Sequence, residues 1–223
     1  MKETGSTKLG ASNLGDPSQW PFYINGRDDV IFIHIPKTAG TSIRRSLNFN
    51  RVDTETDITK HNDLKMVISL IGIDKWNDSY KFAFVRNPWE RILSHYHFAM
   101  RKRDTRNLRK HSFKQWVLKK MLLPEEDMVP LLKIEKKLRF NLQPQIRWVQ
   151  NQDGIVDVDF IGRFEHLERD FRELTNILSL PAELPHTNQN PQNLNYRDHY
   201  DSELKEKVTR FYQEDVDYFK YTF

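Results

Sequence analysis

The sequence predicts an α/β fold: a parallel sheet covered on both faces by helices, with ligand loops at the carboxyl ends of its strands. Two observations carry this expectation. Val30-Ile31-Phe32-Ile33-His34-Ile35 and Lys81-Phe82-Ala83-Phe84-Val85 are nearly continuous apolar runs of strand length, as in strands buried on both faces. Each run is followed by apolar residues at helical spacing, so strands and helices alternate.

Taken in order, residues 1–20 are rich in Gly, Ser, Thr and Asn without repeated apolar spacing, and residues 1–29 are read as a tail ahead of a single domain over 30–223. After the first strand, Ile43 and Leu47 begin the inner face of a helix. Leu64, Val67, Ile68 and Ile71 mark another, closed by Gly72. After the second strand Asn87 is a good N-cap and Pro88 suits the first helical position, with Trp89, Ile92, Leu93, Tyr96 and Met100 facing the core. Phe113, Trp116 and Val117 anchor a further helix, and Leu204, Val208, Phe211 and Tyr212 define the last.

The junctions after the two strands carry the chemistry. In Pro36-Lys37-Thr38-Ala39-Gly40-Thr41-Ser42, Gly40 lets the backbone approach an anion, Lys37 adds a mobile charge, and Thr41 and Ser42 supply hydroxyls and amides at a helix start. In Val85-Arg86-Asn87-Pro88-Trp89-Glu90-Arg91-Ile92-Leu93-Ser94, Arg86 stands at the strand end and Ser94 on the second helical turn. Two anion sites of this kind imply a ligand with two separate phosphate groups. Taken alone, Arg86 and Ser94 read equally as a surface arginine and a helix-interior serine. Arg91 suits a structural ion pair as well as a ligand contact.

The first loop lacks the GxxxxGK[ST] order of nucleotide triphosphatases, since its lysine precedes its glycine. Ile155-Val156-Asp157-Val158-Asp159 has the look of a magnesium-holding acidic strand, but Asn151-Gln152-Asp153-Gly154 before it is a turn signal and a surface hairpin explains the run. No metal is expected.

At 223 residues the chain suits one domain with a sizeable core. The absence of cysteine removes disulfides, thiolate catalysis and cysteine-ligated metal. No apolar stretch is long enough to cross a bilayer and no secretory signal is present, so the expectation is cytoplasmic residence with no membrane partner. A net charge of +4 without a recognisable nucleic-acid module argues against a nucleic-acid partner.

The two loops together resemble the nucleotide-binding elements of sulfotransferases that use 3'-phosphoadenosine 5'-phosphosulfate, particularly the carbohydrate branch with a PKTAGTS loop related to the chondroitin and heparan O-sulfotransferases. Similarity continues through Lys60-His61, through Asp159 to Leu167, and into Leu184-Pro185-His186 and Tyr196-Arg197, with 101–145 matching least. The resemblance implies a three-layer fold of the P-loop NTPase type. It implies that Lys37, Thr38, Ala39, Gly40, Thr41 and Ser42 cradle the 5'-phosphosulfate, mainly through backbone amides, and that Arg86 and Ser94 hold the 3'-phosphate. Arg197 follows as a further nucleotide contact, and Lys37 as the group beside the leaving phosphate. The product nucleotide would be 3'-phosphoadenosine 5'-phosphate and the acceptor a hydroxyl, in that branch a saccharide's. Animal relatives are commonly Golgi proteins with an N-terminal anchor, which would change the compartment.

His61 is the candidate general base, matching the catalytic histidine of the hexuronic-acid sulfotransferases. An imidazole just ahead of a helix begun by Asn62 and Asp63 is biased toward its neutral form. The bland alternative is an exposed loop histidine, and Asp63 stands where some heparan relatives carry a second histidine. His34 is the second choice, although a hydrogen-bonded core residue fits it better. His95 and His97 line either the cleft or its surface, while Arg163 reads as a ligand contact or as a partner of Glu165.

Nine Lys or Arg against one acid, Asp104, over residues 101–120 would attract a polyanionic acceptor or form a solvated helical face. Pro124 to Pro130 reads as an acidic loop or lid. Two other functions stay open: a kinase, which would need magnesium and a triphosphate, and a non-catalytic nucleotide- or glycan-binding protein. Acceptor identity and oligomeric state are not encoded in any motif.

Overall fold

Strand β2 (Arg27–Ile33) lies parallel to β3 (Tyr80–Val85), which lies parallel to β4 (Phe160–Arg163), while the short β1 (Tyr23–Ile24) adds antiparallel to β2. The order β1-β2-β3-β4 makes a four-stranded, mostly parallel sheet among the described residues. The computed structural model describes residues 16–50, 61–101, 111–120, 140–181, 183–184 and 195–223.

Period-2 alternation of side chains sends neighbouring strand residues to opposite faces, and in β2 and β3 both faces are buried. Ile31, Ile33, Ala83 and Val85 pack on one side with Trp76, Trp89, Trp116 and Trp148. Val30, Phe32, Phe82 and Phe84 pack on the other with Ile43, Leu47, Phe171 and Leu174. Helices α1 (Gly40–Ser46) and α7 (Leu167–Ile177) thus cover the second face. The first face carries α2 (Leu64–Ile71), α3 (Ile73–Asn77), α4 (Pro88–Arg101), α5 (Phe113–Lys120), α6 (Ile146–Val149), α8 (Ser202–Phe211) and α9 (Gln213–Phe219). This is the α/β arrangement the sequence predicts.

Two expectations are corrected. The reading of residues 1–29 as a tail fails from about residue 20: Trp20, Phe22, Tyr23 and Ile24 are buried and Tyr23–Ile24 pairs with β2. Their aromatic contacts replace the apolar repeat that sequence patterning looks for, since Trp20 meets Phe22 edge-on and Phe22 meets Tyr23 at a tilt. The final helix is two, α8 and α9, broken at Tyr212, whose ring is fully buried and whose hydroxyl donates to the Leu142 carbonyl at 2.7 Å.

The acidic run resolves as structure. Asp157 accepts from Trp76 Nε1 at 2.8 Å, and Asp159 accepts from the Lys81 backbone at 2.7 Å. Both precede β4, at the amino end of the parallel strands and so across the sheet from the loops that leave their carboxyl ends. The turn at 151–154 forms as expected, with Gln150 bridging Val156 antiparallel.

Candidate functional site

Because β2 and β3 are adjacent and parallel, their carboxyl ends deliver the two loops side by side. The first is built from backbone. Lys37 and Ala39 both adopt positive φ, 72° and 68°, which costs a non-glycine residue about 1–2 kcal/mol each. Among the described residues the N–H groups of Thr38, Ala39, Gly40 and Thr41 have no backbone acceptor, a concave set of donors suited to an anion. The expectation for two members changes. Ser42 N–H donates to the Ala39 carbonyl at 2.9 Å and is spent in the first helical turn. The Thr38 hydroxyl, fully buried, donates to Ile35 O at 2.9 Å and closes the loop instead of helping a ligand.

Gly40 is explained differently from the sequence reading. A Cβ there would fall 1.9 Å from Nε2 of His34, whose ring is 3% exposed and stacks on Phe32. The glycine makes room for a core histidine beneath the loop. His34 is accordingly the packed residue that its strand context suggests.

The second loop is built from side chains held by a buried polar network. Asn87 Oδ1 accepts from the amides of Trp89 and Glu90 at 3.1 and 3.3 Å, capping α4. Gln145 pairs with both backbone groups of Arg86, accepting from its N–H and donating to its carbonyl, each at 2.8 Å. Asp215, fully buried, accepts from the amides of Gln145 and Ile146 at 2.8 Å. Glu165 accepts from Asn87 N–H at 2.5 Å and from the Tyr221 hydroxyl at 3.2 Å.

Arg86 itself donates from Nη2 to Glu90 at 2.6 Å and from Nη1 to the Lys37 carbonyl at 3.3 Å, with its guanidinium 3.8 Å from the Phe164 ring centroid. Its Nε is buried without a hydrogen-bond partner. Ser94 lies half-buried two turns along α4.

Arg91 is a residue whose role sequence left open. It is completely buried and donates to three carbonyls, Pro36 at 3.1 Å, Gln143 at 3.1 Å and Asn141 at 2.8 Å. It is a clamp between the first loop and the turn before α6, and forms no ion pair among the described residues. Gln145 and Asp215 were not singled out from sequence, and Glu165 only as a partner for Arg163.

Lys37 extends to α4, its Nζ 4.5 Å from the centroid of Phe98. His61 sits two residues ahead of the N-cap of α2, which is Asp63, accepting from Met66 N–H at 2.9 Å. The His61 Nδ1 lies 3.0 Å from the His34 carbonyl and the two rings are 4.4 Å apart. A carbonyl only accepts, so Nδ1 carries the hydrogen and Nε2 the lone pair of the neutral ring. His95 is buried beside this group. Burial first, then Arg91, Lys37, His61 and Arg86, hold its pKa well below the ordinary value.

Arg197 is exposed, 4.7 Å over the Tyr196 ring and 5.7 Å from Phe223, and is linked to the second loop because Tyr196 OH accepts from Asn87 at 3.3 Å. Arg163 does not pair with Glu165: it donates to the Phe219 carbonyl at 2.6 Å and lies 4.9 Å from the Tyr221 ring. In the basic segment, Lys114 is engaged by Asp201 and Glu203, while 102–110 lie outside the described residues. Lys60, 124–130 and the Pro185-His186 pair do so too. Among the described residues no group of three or more His, Cys, Asp or Glu is placed to hold a metal, and no helix is long and apolar enough to cross a membrane.

Residues 20–222 match the model of the sulfotransferase family. A crystal structure of a sulfotransferase from Alicyclobacillus acidocaldarius is similar over 93% of this chain and 90% of that one, with 18% sequence identity and a TM-score of 0.42. No curated protein sequence matches significantly.

Proposed function

The chain belongs to the sulfotransferase family, and from that premise we propose that it transfers a sulfuryl group from 3'-phosphoadenosine 5'-phosphosulfate to a hydroxyl of a saccharide, with His61 as general base. The observation that carries this reading is the contact between the two loops. Arg86 Nη1 reaches the Lys37 carbonyl at 3.3 Å, so the amide cradle and the second-loop arginine belong to one site and one bisphosphorylated ligand spans both.

The donor set fits such a ligand. The amides of Thr38 to Thr41 take the 5'-phosphate, and Arg86 with Ser94 takes the 3'-phosphate; the buried Nε of Arg86 is a donor still to be paired. When bound, the nucleotide supplies a sulfuryl group on a phosphate leaving group. His61 Nε2 takes the acceptor's proton as its oxygen bonds to sulfur, and the Nδ1 contact to His34 fixes the ring for that task. Lys37 leaves Phe98 to place its ammonium beside the phosphate oxygen released when the sulfur–oxygen bond breaks. Arg197 closes on the nucleotide from the Tyr196 side. The saccharide acceptor rests on the PKTAGTS resemblance. A magnesium-dependent kinase is disfavoured because Asp157 and Asp159 stand at the opposite end of the sheet.

The test is incubation with the labelled donor and a panel of carbohydrate, phenolic and peptide acceptors, read by mass spectrometry. A sulfated saccharide is the expected product. Consumption of ATP with no sulfated product would overturn the proposal in favour of phosphoryl transfer.

A further inference from the structure

Helix α4 presents one stripe to the first loop. Arg91 touches the Pro36 carbonyl and Phe98 meets Lys37; His95 lies four residues after the one and three before the other, so it is on the same stripe between them. It is 5% exposed and its Nε2 is buried with no hydrogen-bond partner among the described residues. Leaving a buried donor or acceptor unpaired costs about 1–3 kcal/mol, so a native protein that keeps one has a use for it.

The surroundings define that use. Burial first, and then the charges of Arg91, Lys37 and Arg86, keep the imidazole neutral, so it is ill-suited to take up a proton and is no rival to His61 as base. A neutral imidazole can offer one N–H, and the ionised oxygens of a phosphosulfate are acceptors only. The loop amides already account for the 5'-phosphate, whereas His95 lies near Lys37 and His61, the two residues that flank the transfer.

We propose that His95 is a catalytic residue whose Nε2–H donates a hydrogen bond to an oxygen of the sulfuryl group being transferred. This rests on the donor assignment made under Proposed function. Lys37 lies over Phe98, next along the same stripe. An uncharged donor steadies the sulfuryl oxygens without adding to the affinity for the product nucleotide, which lacks them.

The experiment compares the affinities of 3'-phosphoadenosine 5'-phosphosulfate and 3'-phosphoadenosine 5'-phosphate by calorimetry in wild type, His95→Leu and His95→Gln, with turnover alongside. The expected result in His95→Leu is an affinity loss of about tenfold for the phosphosulfate and less than about twofold for the bisphosphate, with kcat down about a hundredfold. His95→Gln, which keeps a side-chain N–H, recovers most of both. His95→Met supplies the apolar comparison if the leucine variant does not fold. Equal losses for the two nucleotides, or unchanged phosphosulfate affinity in the apolar variant, would overturn the role of His95 while leaving the donor assignment intact. Wild-type protein that binds neither nucleotide would instead bring down the donor assignment, and this inference with it.

Discussion

The two loops at the ends of β2 and β3 solve the same problem by opposite means. The first presents backbone: positive φ at Lys37 and Ala39 turns a row of amides outward, and the strain is held by Thr38, by the Arg91 clamp on Pro36 and by the His34 ring under Gly40. The second presents a side chain, and the effort goes into fixing Arg86 at both ends through Gln145, Asp215 and Glu90. A backbone site tolerates little change in its glycine and turn residues. A side-chain site tolerates local change but depends on a buried network drawn from distant parts of the chain.

The largest effect expected from breaking this arrangement is chemical. His61→Ala should lower kcat by about 10²–10⁴-fold while leaving affinity for the bisphosphate product nearly unchanged, measured by steady-state kinetics and calorimetry. Loss of nucleotide affinity in parallel with turnover would move His61 out of the proton-transfer step.

Next come the supports, one for each loop. Asp215→Ala leaves the buried amides of Gln145 and Ile146 without their carboxylate and should cost about 2–4 kcal/mol in denaturant unfolding, while also loosening Arg86. Gly40→Ala forces a methyl group into the His34 ring and should cost about 1–3 kcal/mol, and it should weaken nucleotide binding through the first loop. If the Asp215 variant kept wild-type stability, the buried network would not be what holds the second loop.

A smaller effect lies in pH. His95 has a folded pKa depressed below its ordinary value of 6.5, first by burial and then by Arg91, Lys37, His61 and Arg86. Between the two pKa values the unfolded chain binds the proton and the folded one does not, so stability is full above about pH 6.5 and falls as pH drops, by up to about 1.4 kcal/mol per unit. His95→Gln should flatten that part of the stability profile below pH 6.5. The smallest change is Ala39→Gly, which relieves the left-handed conformation and should stabilise by no more than about 1 kcal/mol, a thermal-melt shift of a few degrees.

What could be read from the sequence follows the range of the interactions. Strands β2 and β3, the Asn87 cap with Pro88 behind it, and the Asp63–Gly72 helix are set by neighbours within a few residues, and their patterns were legible. Both loops were legible because each is a contiguous stretch. Gln145 and Asp215 were not, since their value comes from reaching Arg86 across 59 residues and each other across 70. Gly40 was recognised as a place of close approach, but nothing in the sequence says that His34 folds beneath it. The aromatic packing of Trp20, Phe22 and Tyr23 was hidden because rings packed at an angle in a short irregular segment have no period to detect.

The central claim, that one nucleotide with two phosphate groups touches both loops, is tested most directly by a ligand-and-variant cycle. Affinities of adenosine 3',5'-bisphosphate and adenosine 5'-monophosphate are measured on wild type and on Arg86→Ala. The account predicts that wild type prefers the bisphosphate by at least about tenfold and that Arg86→Ala erases this preference while changing monophosphate affinity by less than about twofold. A preference that survives the loss of Arg86, or an equal loss for both nucleotides, would contradict it.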